Sequence, residues 1–204
     1  MSKKRVVVTG MSINTPIGDT LEGFLENLLA GKSAITRWKS LETDRIYAKV
    51  GGDLGEYDVH AKIQTYKDRI PADMFDRLVK LAKKSPFSAA ITLQTAVEAF
   101  LDADFMEQIE DGNNIATVVS GHNLNQKYTF ENHDVFNDEP DFVDGLFAVY
   151  GLDTHHVGSV TDVLQLHGPG YTVGAACASG NVAMRCAVDE IMMHDVPVAA
   201  VVAP

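Results

Sequence analysis

The sequence predicts an α/β fold built on a largely parallel sheet. Two observations carry that prediction. Short β-branched, apolar runs recur along the chain, and the stretches between them place apolar residues at helical spacing. A third observation keeps the reading to ordinary globular structure: no repeat, low-complexity segment or Gly/Pro-rich linker interrupts the pattern.

Taken in order, Arg5-Val6-Val7-Val8-Thr9 reads as a buried strand, being β-branched and nearly all apolar. Residues 19–30 follow as a helix, with Leu21, Phe24, Leu25 and Leu28 on one side and Gly31 closing it. Residues 47–54 read as a short hairpin arm around Gly51-Gly52, and residues 73–84 as an amphipathic helix. Ser85-Pro86 then restarts the chain, Ser85 as N-cap and Pro86 at the first helical position. The helix it opens, 86–101, carries a stripe of small residues, Ser88, Thr92, Thr95 and Ala99, where another helix can pack closely. Residues 115–120 form a second buried strand. A long acidic loop leads to a third strand at 171–175, a helix at 179–194 and a fourth strand at 198–202.

Composition excludes several classes of function. The 204 residues are 46% apolar and 22% charged, enough for a sizeable core and too apolar for wholesale disorder. Seventeen basic against 28 acidic side chains give a net charge of −11, which opposes generic binding to nucleic acid or anionic membranes. No apolar run approaches the roughly 20 residues of a membrane span, and the basic start has no signal-peptide core behind it. A cytoplasmic protein is expected. Residues Val201-Val202-Ala203-Pro204 follow directly on an apolar strand, so this chain is expected to be part of something longer or to be completed by another chain.

The sharpest local feature is Tyr171-Thr172-Val173-Gly174-Ala175-Ala176-Cys177-Ala178-Ser179-Gly180-Asn181. A strand runs straight into a cysteine and then into small residues that open a helix. Small neighbours let the backbone turn sharply and let a carbonyl approach the sulfur. The helix N-terminus offers unpaired N–H groups to a thiolate or a developing oxyanion. The competing reading is a buried structural cysteine. Cys177 and Cys186 are too few for a disulfide framework. On one helical path, nine residues hold their Cα atoms about 13–14 Å apart, beyond a disulfide's reach. Cys186 is expected in the core with Val182 and Met193.

Other chemistries fit poorly. Gly168-Pro169-Gly170 precedes a strand instead of following one, and Pro169 lacks the N–H that would face a phosphate. None of the six tyrosines has Lys four residues on, so the nicotinamide reading falls. Among the seven histidines, Asp153-Thr154-His155-His156 is the nearest approach to a metal cluster and reads better as a solvated loop or helix start. The run 131–144 holds six acids and no Lys or Arg, without the order of a calcium loop.

These pieces, in this order, resemble the N-terminal half of a β-ketoacyl synthase, a thiolase-like condensing enzyme of fatty acid and polyketide assembly. The first strand followed by Thr15-Pro16-Ile17-Gly18 is similar to that family's opening turn. Phe75-Asp76-Arg77-Leu78 before an Ala-rich helix is similar to its second helical region. Leu166-His167-Gly168-Pro169-Gly170 leading to Ala176-Cys177-Ala178-Ser179-Gly180 resembles the motif around its nucleophile. The resemblance implies one half of a layered αβαβα architecture over residues 1–204, with the C-terminal half absent from this chain. It implies Cys177 as nucleophile and substrates carried on the phosphopantetheine of an acyl carrier protein, with no further cofactor. Two histidines that polarise the malonyl thioester would come from the other half.

Gly121-His122-Asn123-Leu124-Asn125-Gln126 departs from the glycine-rich stretch usual after that strand in fatty-acid synthases. Lys83-Lys84-Ser85-Pro86-Phe87 and Leu152-Asp153-Thr154 are more similar to the stand-alone decarboxylases of polyketide β-branching cassettes, many of which carry Ser in place of the Cys. Three readings therefore stand: decarboxylative condensation on Cys177, malonyl decarboxylation without condensation, and a chain-length-factor-like partner that only shapes a heterodimer. The complete enzyme is expected to dimerise through the strand at 198–202. For an acidic carrier protein, the basic stretch from Lys62 to Lys84 is the candidate docking face, with Arg77, Lys80 and Lys84 at i, i+3, i+7 on one helical side.

Overall fold

A computed structural model of the chain describes residues 5–106, 114–194 and 196–204. The basic start, residues 1–4, lies outside them. Among the described residues, α-helices and strands run in the order α1 (Leu21–Leu29), β1 (Thr36–Arg37), β2 (Val50–Gly51), α2 (Val59–Gln64), α3 (Ala72–Ala82), α4 (Phe87–Asp102), β3 (Ile115–Ser120), α5 (Gln126–Asp138), α6 (Phe147–Tyr150), α7 (Thr154–Leu164), β4 (Gly170–Val173), α8 (Ser179–Met193) and β5 (Val198–Val202).

The central sheet is parallel, in the order β4-β3-β5, with Val118 opposite both Tyr171 and Val201. Parallel strands need long crossovers, supplied here by α5 to α7 between β3 and β4 and by α8 between β4 and β5. Helices cover both faces, so every residue of β3 is buried, the polar Thr117 and Ser120 included. Strand alternation divides the core in two. Ile115, Val119 and Val202 join the larger cluster with Leu93 and Val97 of α4 and Val160 and Leu164 of α7. Val118 turns the other way, onto Ala183 and Ala187 of α8. Each fully buried Leu or Val here contributes about 1.5–3 kcal/mol.

The small-residue stripe on α4 works on two sides. Thr92 faces His156 of α7 at 2.8 Å, and Thr95 O accepts from Ser12 Oγ at 2.6 Å. Gly10 lies so close to the same helix that an added Cβ would stand 2.3 Å from Ala99 O. Asn14 Nδ2 donates to Gln94 Oε1, so residues 10–14 are strapped along α4.

Several expectations need correction. Residues 5–9 pair with no strand among the described residues, and Val7 and Val8 are exposed. A β-branched run becomes a strand only where a sheet edge meets it. Residues 47–54 are not a hairpin on their own: Val50–Gly51 pairs antiparallel with Thr36–Arg37, and the Trp38 indole covers Gly51. Ser85 is not the N-cap of α4. Pro86 takes that position without a side-chain cap bond, and Ser85 Oγ instead meets His155 Nε2 at 3.2 Å. The acidic loop is largely helical, with α5 running through Asp138 and a 3-10 turn at Pro140–Phe142. α5 buries none of its residues, so its acids stay in water and do not oppose the helix. Cys186 is half-buried beside the Ala183/Ala187 cluster, whereas Val182 and Met193, its expected core companions, are exposed. They point off the solvent side of α8.

Candidate active site

The carboxyl ends of parallel strands leave a crevice where the chain turns back through helices, and ligands in α/β sheets bind there. Gly121 follows β3, and its N–H donates to Val173 O at 2.9 Å, so the segments after β3 and β4 leave the sheet side by side. Cys177 follows β4 by four residues and precedes α8 by two. It sits in the 3-10 turn Ala176–Ala178 and is exposed, as are Gly174, Ala176 and Ala178. The buried structural cysteine is therefore not what the chain builds.

The turn is strained and held. Ala176 has φ +48°, a left-handed conformation uncommon for a residue with a Cβ. Ser179 spans it: its Oγ accepts from Ala175 N at 2.8 Å and donates to Ala176 O at 2.7 Å. Ser179 is itself buried. Such a turn thrusts one side chain out of a rigid frame at the N-terminus of a 15-residue helix, where the first N–H groups have no partners within the helix.

A buried polar network stands behind the crevice. His156 is fully buried, with Nδ1 2.8 Å from Thr92 Oγ1 and Nε2 3.1 Å from Asn125 Oδ1. Asn125 Nδ2 donates to Leu152 O, which fixes the amide so that Oδ1 faces the ring and also accepts from Ser88 Oγ. Nε2 donates to the Asn125 Oδ1 acceptor, so in the neutral ring Nδ1 accepts from Thr92 Oγ1, whose proton then turns away from Ser88 O at 3.1 Å. Burial holds its pKa down to about 4, helped by neighbouring His155 and opposed by Asp153. Burial also lowers His155, whose ring lies 4.7 Å from that of Tyr150. Asp153 clamps the segment after β3: Oδ2 accepts from Asn123 N at 2.9 Å and Oδ1 from Leu124 N at 2.8 Å. The Asp153-Thr154-His155-His156 run is a helix start, with Asp153 at the N-cap of α7, but it is not solvated: His156 is buried and His155 half-buried, and sequence spacing gave no sign that Asp153 serves residues about 30 positions away. Among the described residues, no group of three or more His, Cys, Asp or Glu is placed to hold a metal ion. No helix among them is long and apolar enough to cross a membrane.

The basic residues are less uniform than their spacing suggests. Lys62 lies 3.1 Å from both Asp19 and Glu98, which ties α2 to α4 and takes it out of any docking face. Burial draws its pKa down, but the two carboxylates outweigh that and leave it raised. Arg77 is paired with Asp73 at 2.9 Å, and α3 ends at Ala82, so Lys84 lies one residue past the C-cap. Lys80, Lys83 and Lys84 are exposed.

The chain therefore presents a layered α/β frame with an exposed cysteine on a strand-to-helix turn. Residues 3–203 match the model of the β-ketoacyl synthase N-terminal domain, and the chain belongs to that family. It is 28% identical over 191 residues to the polyketide biosynthesis malonyl-ACP decarboxylase PksF of Bacillus subtilis strain 168, covering 94% of this chain and 42% of that protein. It is 25% identical over 181 residues to 3-oxoacyl-[acyl-carrier-protein] synthase 2 of Vibrio cholerae, covering 88% and 40%. The chain thus spans about two fifths of the length of the relatives it matches. Its fold is that of solved ketosynthases: the ishigamide ketosynthase/chain length factor superposes with a TM-score of 0.75 at 18% identity, over 96% of this chain and 46% of that one.

Proposed function

We propose that this chain is the cysteine-bearing half of a β-ketoacyl synthase-type acyltransferase acting on thioesters of acyl carrier protein. One observation carries the reading: within a domain of that family, the cysteine of the motif stands exposed on a braced, strained turn at the carboxyl edge of the sheet. In this reading the Cys177 sulfur attacks the acyl thioester carbonyl. The new C–S bond forms as the bond to the pantetheine sulfur breaks, and the proton of the cysteine thiol passes to that leaving sulfur. A malonyl thioester then loses carbon dioxide, and the enolate carbon attacks the acyl-cysteine carbonyl and expels the thiolate. Splitting the reaction at a covalent intermediate lowers each barrier. Backbone N–H groups in the first turn of α8 supply donors for the oxyanion.

Decarboxylation without condensation is the second reading, favoured by the similarity to PksF. There the same enolate takes a proton and leaves as an acetyl thioester. Incubating the full-length protein with malonyl and acyl carrier proteins separates the two by intact mass. A β-ketoacyl product supports condensation, whereas acetyl carrier protein alone overturns it in favour of the second reading.

The remaining parts of the reading follow. Residues 1–204 act as the N-terminal half, completed by a C-terminal half that supplies the enolate-stabilising histidines. The supporting fact is that this chain spans only about two fifths of its relatives. The enzyme is cytoplasmic, needs no cofactor beyond the carrier's phosphopantetheine, and forms a homodimer in which β5, an edge strand among the described residues, is covered. Carrier protein docks on Arg77, Lys80 and Lys84.

A further inference from the structure

By accepting from Ala175 N and donating to Ala176 O, the Ser179 hydroxyl closes a ring through the backbone of both residues. The φ of Ala176, at +48°, lies inside that ring. A residue with a Cβ leaves this left-handed conformation when nothing holds it there. Ala176 O is also the carbonyl of the peptide bond into Cys177. That unit is planar, so whatever fixes the oxygen fixes the Cys177 nitrogen and Cα as well. Two further bonds cross the turn: Ser179 N donates to Ala176 O, and Ala178 N to Ala175 O at 3.0 Å. Both are the i to i+3 bonds of an ordinary 3-10 turn. The Ser179 side chain adds the tie back to Ala175 N, and it does so from the interior. Ser179 is 6% exposed, whereas Cys177, two residues away, is exposed.

We infer that Ser179 is a positioning residue for acyl transfer, whose hydroxyl holds Ala176 in the left-handed conformation that sets Cys177 where it takes up the acyl group. Without the hydroxyl, Ala175 N loses its acceptor and Ala176 relaxes toward negative φ. The planar peptide then carries Cys177 with it. Attack on a thioester tolerates little of this, because a misplacement of about 1 Å can slow a reaction roughly 100-fold. Ser179 acts through Ala176 and not on the substrate, so its loss slows the transfer step and leaves capture of the carrier protein as it was. The loading step is the thioester exchange already described, so no further reactant is required. This inference rests on Cys177 being the acyl acceptor.

The test is single-turnover loading of the full-length protein from acetyl carrier protein, read by intact mass over a range of donor concentrations. Ser179→Ala is expected to lower the maximal loading rate by roughly 10- to 100-fold. Its half-saturating donor concentration is expected to stay within about twofold of the wild type. Glycine adopts positive φ at no steric cost, so adding Ala176→Gly to Ser179→Ala is expected to restore the rate several-fold. A general loss of stability would not be relieved that way, because glycine adds freedom to the unfolded chain. Ala176 is exposed, so Ala176→Val spares the core and carries the test if Ser179→Ala folds poorly. A β-branched residue resists positive φ, and loading is expected to slow in the same way. Wild-type loading by Ser179→Ala or by Ala176→Val, or a loss that Ala176→Gly does not relieve, overturns the inference while leaving Cys177 as acceptor. A wild type that takes up no acyl group, or a Cys177→Ala protein that still does, overturns the acceptor reading and this inference with it.

Discussion

Replacing His156 with Phe tests the brace behind the site, because the two residues differ most in what they do with a proton. In the folded chain the buried imidazole titrates near 4, whereas an unfolded histidine titrates near 6.5. Above about pH 6.5 both states hold the ring neutral, and the site contributes its full stability. Between pH 6.5 and 4 the unfolded chain binds a proton that the folded chain refuses. Stability therefore falls as pH drops through that window, and below about 4 this group causes no further loss. At about 1.4 kcal/mol per pH unit, the whole window is worth about 3 kcal/mol, and the part above pH 5 about 2 kcal/mol. His156→Phe removes the titration and takes one hydrogen bond each from Thr92 Oγ1 and Asn125 Oδ1, which keep Ser88 O and Ser88 Oγ as partners, at roughly 0.5–1.5 kcal/mol for each bond lost. The variant is thus expected to be less stable than the wild type at pH 7.5 and to lose less on going to pH 5. Urea denaturation of the full-length protein at both pH values measures this. Equal losses in the two proteins would refute the claim that His156 is held neutral by the fold.

The remaining predictions concern other parts of the chain. Gly168→Ala places a Cβ 2.5 Å from the backbone carbon and oxygen of Ile115, where nothing flexible can give way. A lower thermal midpoint from a loss of at least about 1–3 kcal/mol is expected, and an unchanged midpoint would contradict that close approach. Lys62→Met leaves Asp19 and Glu98 facing each other without a cation, and because the site is only partly buried the expected cost is about 2 kcal/mol by chemical denaturation. Reversing Lys80 and Lys84 to Glu is expected to raise KM several-fold for carrier-protein substrates relative to a small malonyl thioester, through lost attraction for an acidic partner. An equal effect on both substrates would place docking elsewhere or mean that the helix itself was disturbed.

How much of this was legible beforehand varied by element, for physical reasons. β3, α8 and the turn bearing Cys177 were readable because each is set by local pattern: an apolar run buried on both faces, helical spacing, and small residues where the backbone must bend. α5 was missed because its acids hide a helix that never enters the core. The arm at 47–54 was misread because its partner strand lies at Thr36–Arg37, outside the window in which a hairpin can be recognised. Residues 5–9 carry the composition of a strand, but composition does not supply an edge to pair with.

The sequence alone determined the α/β class, the family and the cysteine at the strand-to-helix turn, because periodicity and a short motif are properties of neighbouring residues. Only the tertiary structure decided that Cys177 is exposed, that Lys62 serves an ion pair between helices, and that His156 is buried. The pairing of Gly121 with Val173 is what brings His122 against Gly174 from 52 residues away. Strand register and helix packing set such meetings between distant segments, and no local pattern in one segment encodes where another will lie.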